Sequence, residues 1–138
     1  MNITEKGIGE IQPYDNNPRK NDGAVKYVAE SIRQFGWKVP IVIDKDGVIV
    51  AGHTRYLAAM ELGIDTIPCI IADDLTDEQV KAFRLADNKV AEFADWDTDM
   101  LAEELGDILD IDMEPLGFEL DMFADELALE ESTTLAER

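Results

Sequence analysis

The stretch that decides the fold is Val48-Ile49-Val50-Ala51-Gly52-His53-Thr54-Arg55-Tyr56-Leu57-Ala58-Ala59-Met60-Glu61-Leu62-Gly63. Its first four residues are apolar and mostly β-branched, the composition of a strand. Gly52 then allows a tight backbone turn, and His53 to Leu62 reads as a helix closed by Gly63. A strand that turns through glycine into a helix leaves the first helical N–H groups without intrahelical partners. Such a turn is a natural seat for an anion, and phosphate fits it. Arg55 falls in the first turn of that helix, where a cation is poorly placed relative to the helix dipole. It therefore needs an anionic partner, which is either a ligand phosphate or a carboxylate of the chain itself. His53, the only histidine, stands beside the turn. It can hydrogen-bond a phosphate, shuttle a proton near neutral pH, or satisfy a nearby backbone group.

Upstream, Pro40-Ile41-Val42-Ile43 predicts a second strand, and Lys45-Asp46-Gly47 a hairpin turn into Val48. Before it, Val25, Val28, Ile32 and Phe35 share one face of a helix that Gly36 can stop. Residues 7–12, GIGEIQ, read as a short strand, followed by a loop rich in turn formers, PYDNNPRKNDG. Arg19 and Lys20 place two cations in that loop, able to close over a ligand or simply to be solvated. Downstream, Ile67-Pro68-Cys69-Ile70-Ile71 predicts a buried strand whose proline implies an edge or a bend. Thr76 to Gln79 fits a capping box for a helix reaching about Val90. Asp87 and Asn88, near its end, carry oxygens suited to Mg²⁺ but do not make a metal site alone. Asp97 predicts another N-cap, with Met100, Leu101, Leu105, Ile108 and Leu109 as the apolar stripe of its helix. A further acidic helix is expected to dock through Leu120, Phe123 and Leu127.

These elements define a mixed α/β (α+β) fold: a small sheet flanked by helices with an acidic helical C-terminal extension. The expected divisions are a domain at 1–95, the extension at 96–128 and a tail at 129–138. Hydrophobic residues make up 46% of the 138 residues, enough for a core. Cys69 is the single cysteine, which excludes an internal disulfide and any multi-cysteine zinc site. No membrane span or signal peptide is legible, so the expected location is cytoplasmic. The net charge is −19 and unevenly spread. Residues 1–71 hold 9 acidic and 8 basic side chains, and residues 72–138 hold 22 and 4. The second half repels nucleic acid, so DNA contact is expected only through the N-terminal half or a partner protein. There is no P-loop, no dinucleotide fingerprint and no nucleophile elbow.

Taken together, NNPRK, SIRQFGWKVPIVID, VIVAGHTRYLAAMELGIDTIPCII and LTDEQVKAFRLADNKVAEF resemble the ParB N-terminal domain-like / sulfiredoxin superfamily, over about residues 5–95. The version most similar is the ParB-like nuclease domain of phages and prophages, found beside or fused to a DNA methyltransferase. The resemblance implies a nucleotide pocket in which Gly52, His53, Thr54 and Arg55 are the phosphate turn. It implies that Asn17 and Arg19 form the loop facing the phosphates and that Asn88 is the metal-side residue. His53 and Asn17 are the catalytic candidates, and Mg²⁺ with ATP or CTP the expected cofactor. Expected partners are a nucleotide, DNA, a DNA methyltransferase and a second copy in a homodimer. Expected activities are NTP hydrolysis or action on nucleic acid. The chain departs from partition proteins in keeping one arginine where they have two, in Asp87-Asn88 for Glu-Asn, and in lacking a basic helix-turn-helix. His53 replaces the catalytic cysteine of sulfiredoxin, which excludes that chemistry. Two alternatives accompany this reading. One is a non-enzymatic module whose acidic half docks a basic partner. The other is a kinase similar to the free-serine kinase, with Asp15 as its base.

Overall fold

The computed structural model describes residues 1–17 and 23–118. Its chain forms two compact units, Met1–Ala94 and Asp95–Arg138. In the first, β1 (Ile3–Gly7), α1 (Val25–Phe35), β2 (Ile41–Ile43), β3 (Ile49–Ala51), α2 (His53–Leu62), β4 (Thr66–Ile71) and α3 (Asp77–Glu92) follow one another. The sheet order is β1-β4-β2-β3. β4 is antiparallel to β1 and parallel to β2, and β2 is antiparallel to β3. This is the mixed α/β architecture that the sequence predicts.

The inner faces of the strands carry Ile41, Ile43, Ile49, Ile67 and Cys69, each nearly or wholly buried, joined by Ile11 and Ala59. Each fully buried isoleucine contributes about 1.5–3 kcal/mol relative to exposure. A second cluster, Val25, Ala29 and Ala58, lies between α1 and α2. Helix α2 is covered on two sides, and the residues facing those sides, Ala58 and Ala59, are alanines with no exposed surface. Small side chains there let two neighbours approach the helix closely, which fixes its position.

Two strand expectations need correction. Residues 7–12 do not form a strand: β1 ends at Gly7 and a 3-10 turn spans Ile8–Glu10. Ile8 and Ile11 both reach the core cluster. Their three-residue spacing is the period of a 3-10 turn, which puts both on one side, whereas a strand would split them. Pro68 does not mark an edge, because β4 lies inside the sheet. Pairing with β2 begins only at Cys69, so the proline faces a strand neighbour, Glu5, on the β1 side alone. A residue without an N–H is thereby kept out of the parallel ladder.

The β2–β3 connection is longer than a two-residue hairpin. The Asp44 carboxylate accepts the N–H groups of Asp46 and Val48 at 2.9 and 3.0 Å. Gly47 adopts φ 85°, and a Cβ there would stand 2.7 Å from the Glu10 carbonyl. That close approach lets the segment after β1 run beside β3: Gln12 N–H donates to Gly47 O and Ile49 N–H to Gln12 O, both at 2.9 Å. The following residues, Pro13 to Asn17, are thus delivered to the end of β3, where the chain turns into α2.

In the second unit Asp97 caps α4 (Thr98–Gly106), its carboxylate accepting Met100 N–H at 3.1 Å. Leu101 is buried, but Met100 and Leu109 are exposed and the helix stops at Gly106, so the expected stripe to Leu109 is not one helical face. Trp96 and Phe118 pack edge to face with ring centroids 5.8 Å apart. Leu120, Phe123, Leu127 and the 129–138 tail lie outside the described residues, as does Arg19.

Candidate functional site

The backbone turns from β3 into α2 through Gly52 at φ 107°, a left-handed conformation that favours glycine. A Cβ there would meet Ile41 Cγ1 at 3.1 Å, so the turn also lies against the core. Tyr56 N–H donates to Gly52 O at 3.0 Å, which opens the helix and leaves the N–H groups before it outside the ladder. No side chain caps them, and the first turn holds no acidic residue. Arg55 stands among them half-buried. Among the described residues the ion pairs are Lys6–Glu10, Arg33–Glu30 and Lys89–Glu92, so no carboxylate there takes up Arg55.

A hollow of about 140 Å³ opens at this corner. It is lined by Asn17, Gly52, His53, Thr54, Arg55 and the Asp87–Asn88 pair, together with Val50 and Ala51. Residues from the early loop, the α2 turn and α3 thus line one hollow. Asp15 lines a different, larger hollow of about 520 Å³, shared with Tyr14 and Arg84.

The polar side chains have defined partners. Asn88 Nδ2 donates to the Arg84 carbonyl at 3.1 Å, which orients the amide. His53 Nε2 accepts the Tyr14 N–H at 3.2 Å. That bond requires an unprotonated Nε2. Burial, and then the positive charge of Arg84, hold the imidazole pKa below its ordinary value. His53 is thus neutral with its proton on Nδ1, a donor rather than a cation.

Arg84 is the residue that sequence reasoning missed. It is 3% exposed. Its Nε and Nη2 donate to Ile49 O at 3.3 and 3.1 Å, and its guanidinium lies 3.6 Å from the centre of the Tyr14 ring. The available signal was spacing: Val80, Arg84 and Asn88 recur every four residues, and all three lie on the side of α3 that is at least partly buried.

A four-stranded mixed sheet, with an uncapped glycine turn and an arginine that has no carboxylate partner among the described residues at one strand end, defines a small α/β domain. The chain belongs to the ParB N-terminal domain family, whose model matches residues 1–89. It is 42% identical over 80 residues to the ParB-like nuclease domain-containing protein YnaK of Escherichia coli K12, covering 57% of this chain and 92% of that protein. It is 33% identical over 86 residues to the chromosome-partitioning protein Spo0J of Thermus thermophilus, covering 59% of this chain and 32% of that protein. The chain thus spans about a third of that partitioning protein. Among solved structures, it is similar to the truncated partitioning protein ParB of Caulobacter crescentus complexed with CTP-γ-S. The TM-score is 0.59 at 26% identity, covering 70% of this chain and 56% of that one. Sulfiredoxin of Arabidopsis thaliana shares the fold at a TM-score of 0.50 and 31% identity, over 60% of this chain and 97% of that one. No helix among the described residues is long and apolar enough to cross a membrane.

Proposed function

We propose that this domain binds a nucleoside triphosphate, with its phosphates on the Gly52–Arg55 turn. The observation that carries the reading is the combination at that corner: uncapped N–H groups, an arginine with no carboxylate partner among the described residues, and a polar hollow beside both. Helix-start N–H groups and the Arg55 guanidinium offer an anion their positive ends at the turn, and Asp87 is the one carboxylate of the lining. The likeness to a ParB structure holding CTP-γ-S supports CTP as the first nucleotide to test.

The residues present fit a nucleotide with Mg²⁺. Mg²⁺ keeps several waters and is held mainly by phosphate oxygens, with one or two carboxylates from the protein, and the hollow supplies Asp87. Asp87 and Asn88, neighbours in the lining of the hollow, are the residues that would hold the ion. Bound there, the ion would neutralise phosphate charge. Arg55 and the amides of Thr54 and Arg55 bind the phosphates, His53 Nδ1–H adds a neutral donor, and Asn17 lines the hollow from the early loop. Because His53 Nε2 is occupied by the Tyr14 amide, His53 holds a phosphate rather than relaying a proton. No group of three His, Cys, Asp or Glu suited to a metal ion occurs among the described residues, and the reading is one of binding.

Isothermal titration calorimetry with CTP, ATP, GTP and UTP, each with and without Mg²⁺, tests it. Magnesium-dependent heat is expected for CTP, lost in Arg55→Ala. Absence of heat with all four overturns the reading.

A further inference from the structure

Among the described residues Arg84 is the buried charge, and no carboxylate there lies within ion-pair distance of it. An isolated guanidinium inside a protein is costly unless its donors and charge are met by other means. Here a carbonyl and a ring meet them. Ile49 O accepts from Nε and Nη2, and the Tyr14 ring covers the guanidinium face at 3.6 Å. Stacking on an aromatic face while donating in-plane is something the planar arginine group does and an ammonium does not.

Tyr14 passes the constraint on. With its ring held by Arg84, its backbone N–H reaches His53 Nε2 at 3.2 Å. The contacts run from the last strand before the turn, through α3 and the early loop, to the first residue of α2. They join residues 35 and 39 positions apart in sequence. An imidazole nitrogen that accepts an amide N–H carries no proton, so the ring proton sits on Nδ1. No acceptor among the described residues takes that Nδ1–H, and His53 lines the hollow that holds Arg55.

We propose that Arg84 is a positioning residue for the anion site: by stacking on Tyr14 it holds the loop amide that fixes His53 as the Nδ1–H tautomer. A phosphate at the turn then meets a neutral donor of fixed direction instead of a ring free to exchange tautomers. The role deepens the phosphate reading of the Gly52 turn and rests on it, but the tautomer itself can be read without any nucleotide.

His53 is the only histidine in the chain, so ring ¹⁵N signals need no assignment. Long-range ¹H–¹⁵N spectra of the wild-type chain at neutral pH are expected to show a protonated Nδ1 and an unprotonated Nε2. Arg84→Gln is expected to bring the two nitrogen shifts toward each other as tautomers mix. It should also weaken Mg²⁺–CTP binding at least about fivefold, the scale of a modest coupling between sites. Arg84→Lys keeps the charge without the planar stack and is expected to behave like Arg84→Gln, which separates positioning from electrostatics. Should Arg84→Gln fail to fold, Tyr14→Leu removes the ring while keeping the amide, and the same mixing is expected. A wild-type ring protonated on Nε2 overturns the proposal, as do substitutions that fold and leave the wild-type pattern intact. A wild-type chain that shows the Nδ1–H pattern yet binds no nucleotide sinks the phosphate reading and leaves the Arg84–Tyr14–His53 link standing.

Discussion

At the start of α3, Thr76 Oγ1 accepts the Gln79 N–H at 3.2 Å and Gln79 Oε1 accepts the Thr76 N–H at 2.9 Å. Asp77 and Glu78 follow in the first turn, with the sign the helix dipole prefers. At the start of α2 there is a glycine with no side chain to cap with, no acid, and an arginine whose charge opposes the dipole. One helix closes its own end and is optimised for stability. The other leaves its end open, and every local choice there is poor for an isolated helix. Local rules broken together at one place, while kept elsewhere in the same domain, mark a position shaped by something other than folding.

The contrast can be broken most directly at Arg55. Arg55→Ala is expected to weaken nucleotide binding about 10- to 100-fold, the scale of a lost charge-assisted contact. Its melting temperature should stay close to wild type, because no ion pair is removed among the described residues. Calorimetry and a thermal melt on the same sample check both, and a large drop in melting temperature would show that Arg55 serves the fold instead. Gly52→Ala comes next. Its φ of 107° and the 3.1 Å approach to Ile41 Cγ1 put the cost at about 1–2 kcal/mol or somewhat more, measured by urea unfolding, with weaker binding besides.

Thr76→Ala sharpens the comparison from the other side. Losing a capping-box side chain should cost about 1 kcal/mol of stability and leave nucleotide affinity unchanged. The smallest effect concerns pH. His53 is held below its ordinary pKa of 6.5, so the folded chain binds a proton less readily than the unfolded one. Its contribution is therefore present in full above that value and is lost as pH falls below it toward the folded pKa. Unfolding curves at pH 7.5 and in the acid range, for wild type and His53→Gln, should diverge in that sense. A wild-type curve that gains stability relative to His53→Gln on acidification would contradict a neutral histidine at the turn.

The turn was legible in the sequence because its determinants are adjacent. Gly52 and Gly63 bracket α2, and both take the left-handed conformation that glycine permits. The capping box at Thr76 is equally local. What escaped was set by contacts distant in sequence. GIGEIQ alternates enough to suggest a strand, and only the shared burial of Ile8 and Ile11 selects a 3-10 turn. Pro68 suggested an edge or a bend, and only the register with β2 shows how an interior strand tolerates it. Arg84 was not singled out at all, because its carbonyl and aromatic partners lie on β3 and in the early loop.

The segment around Gln12 also lies along a sheet edge. β3 is the last strand on its side of the sheet, and an exposed last strand is a template onto which a foreign chain can add. Gln12 forms a single parallel bridge with Val48, donating to Gly47 and accepting from Ile49. A few residues of irregular backbone thus occupy two backbone groups at the start of that edge, and the same few residues carry the chain to Tyr14. One short length of polypeptide thus shields part of a sheet edge and sets the position of the amide bound to His53.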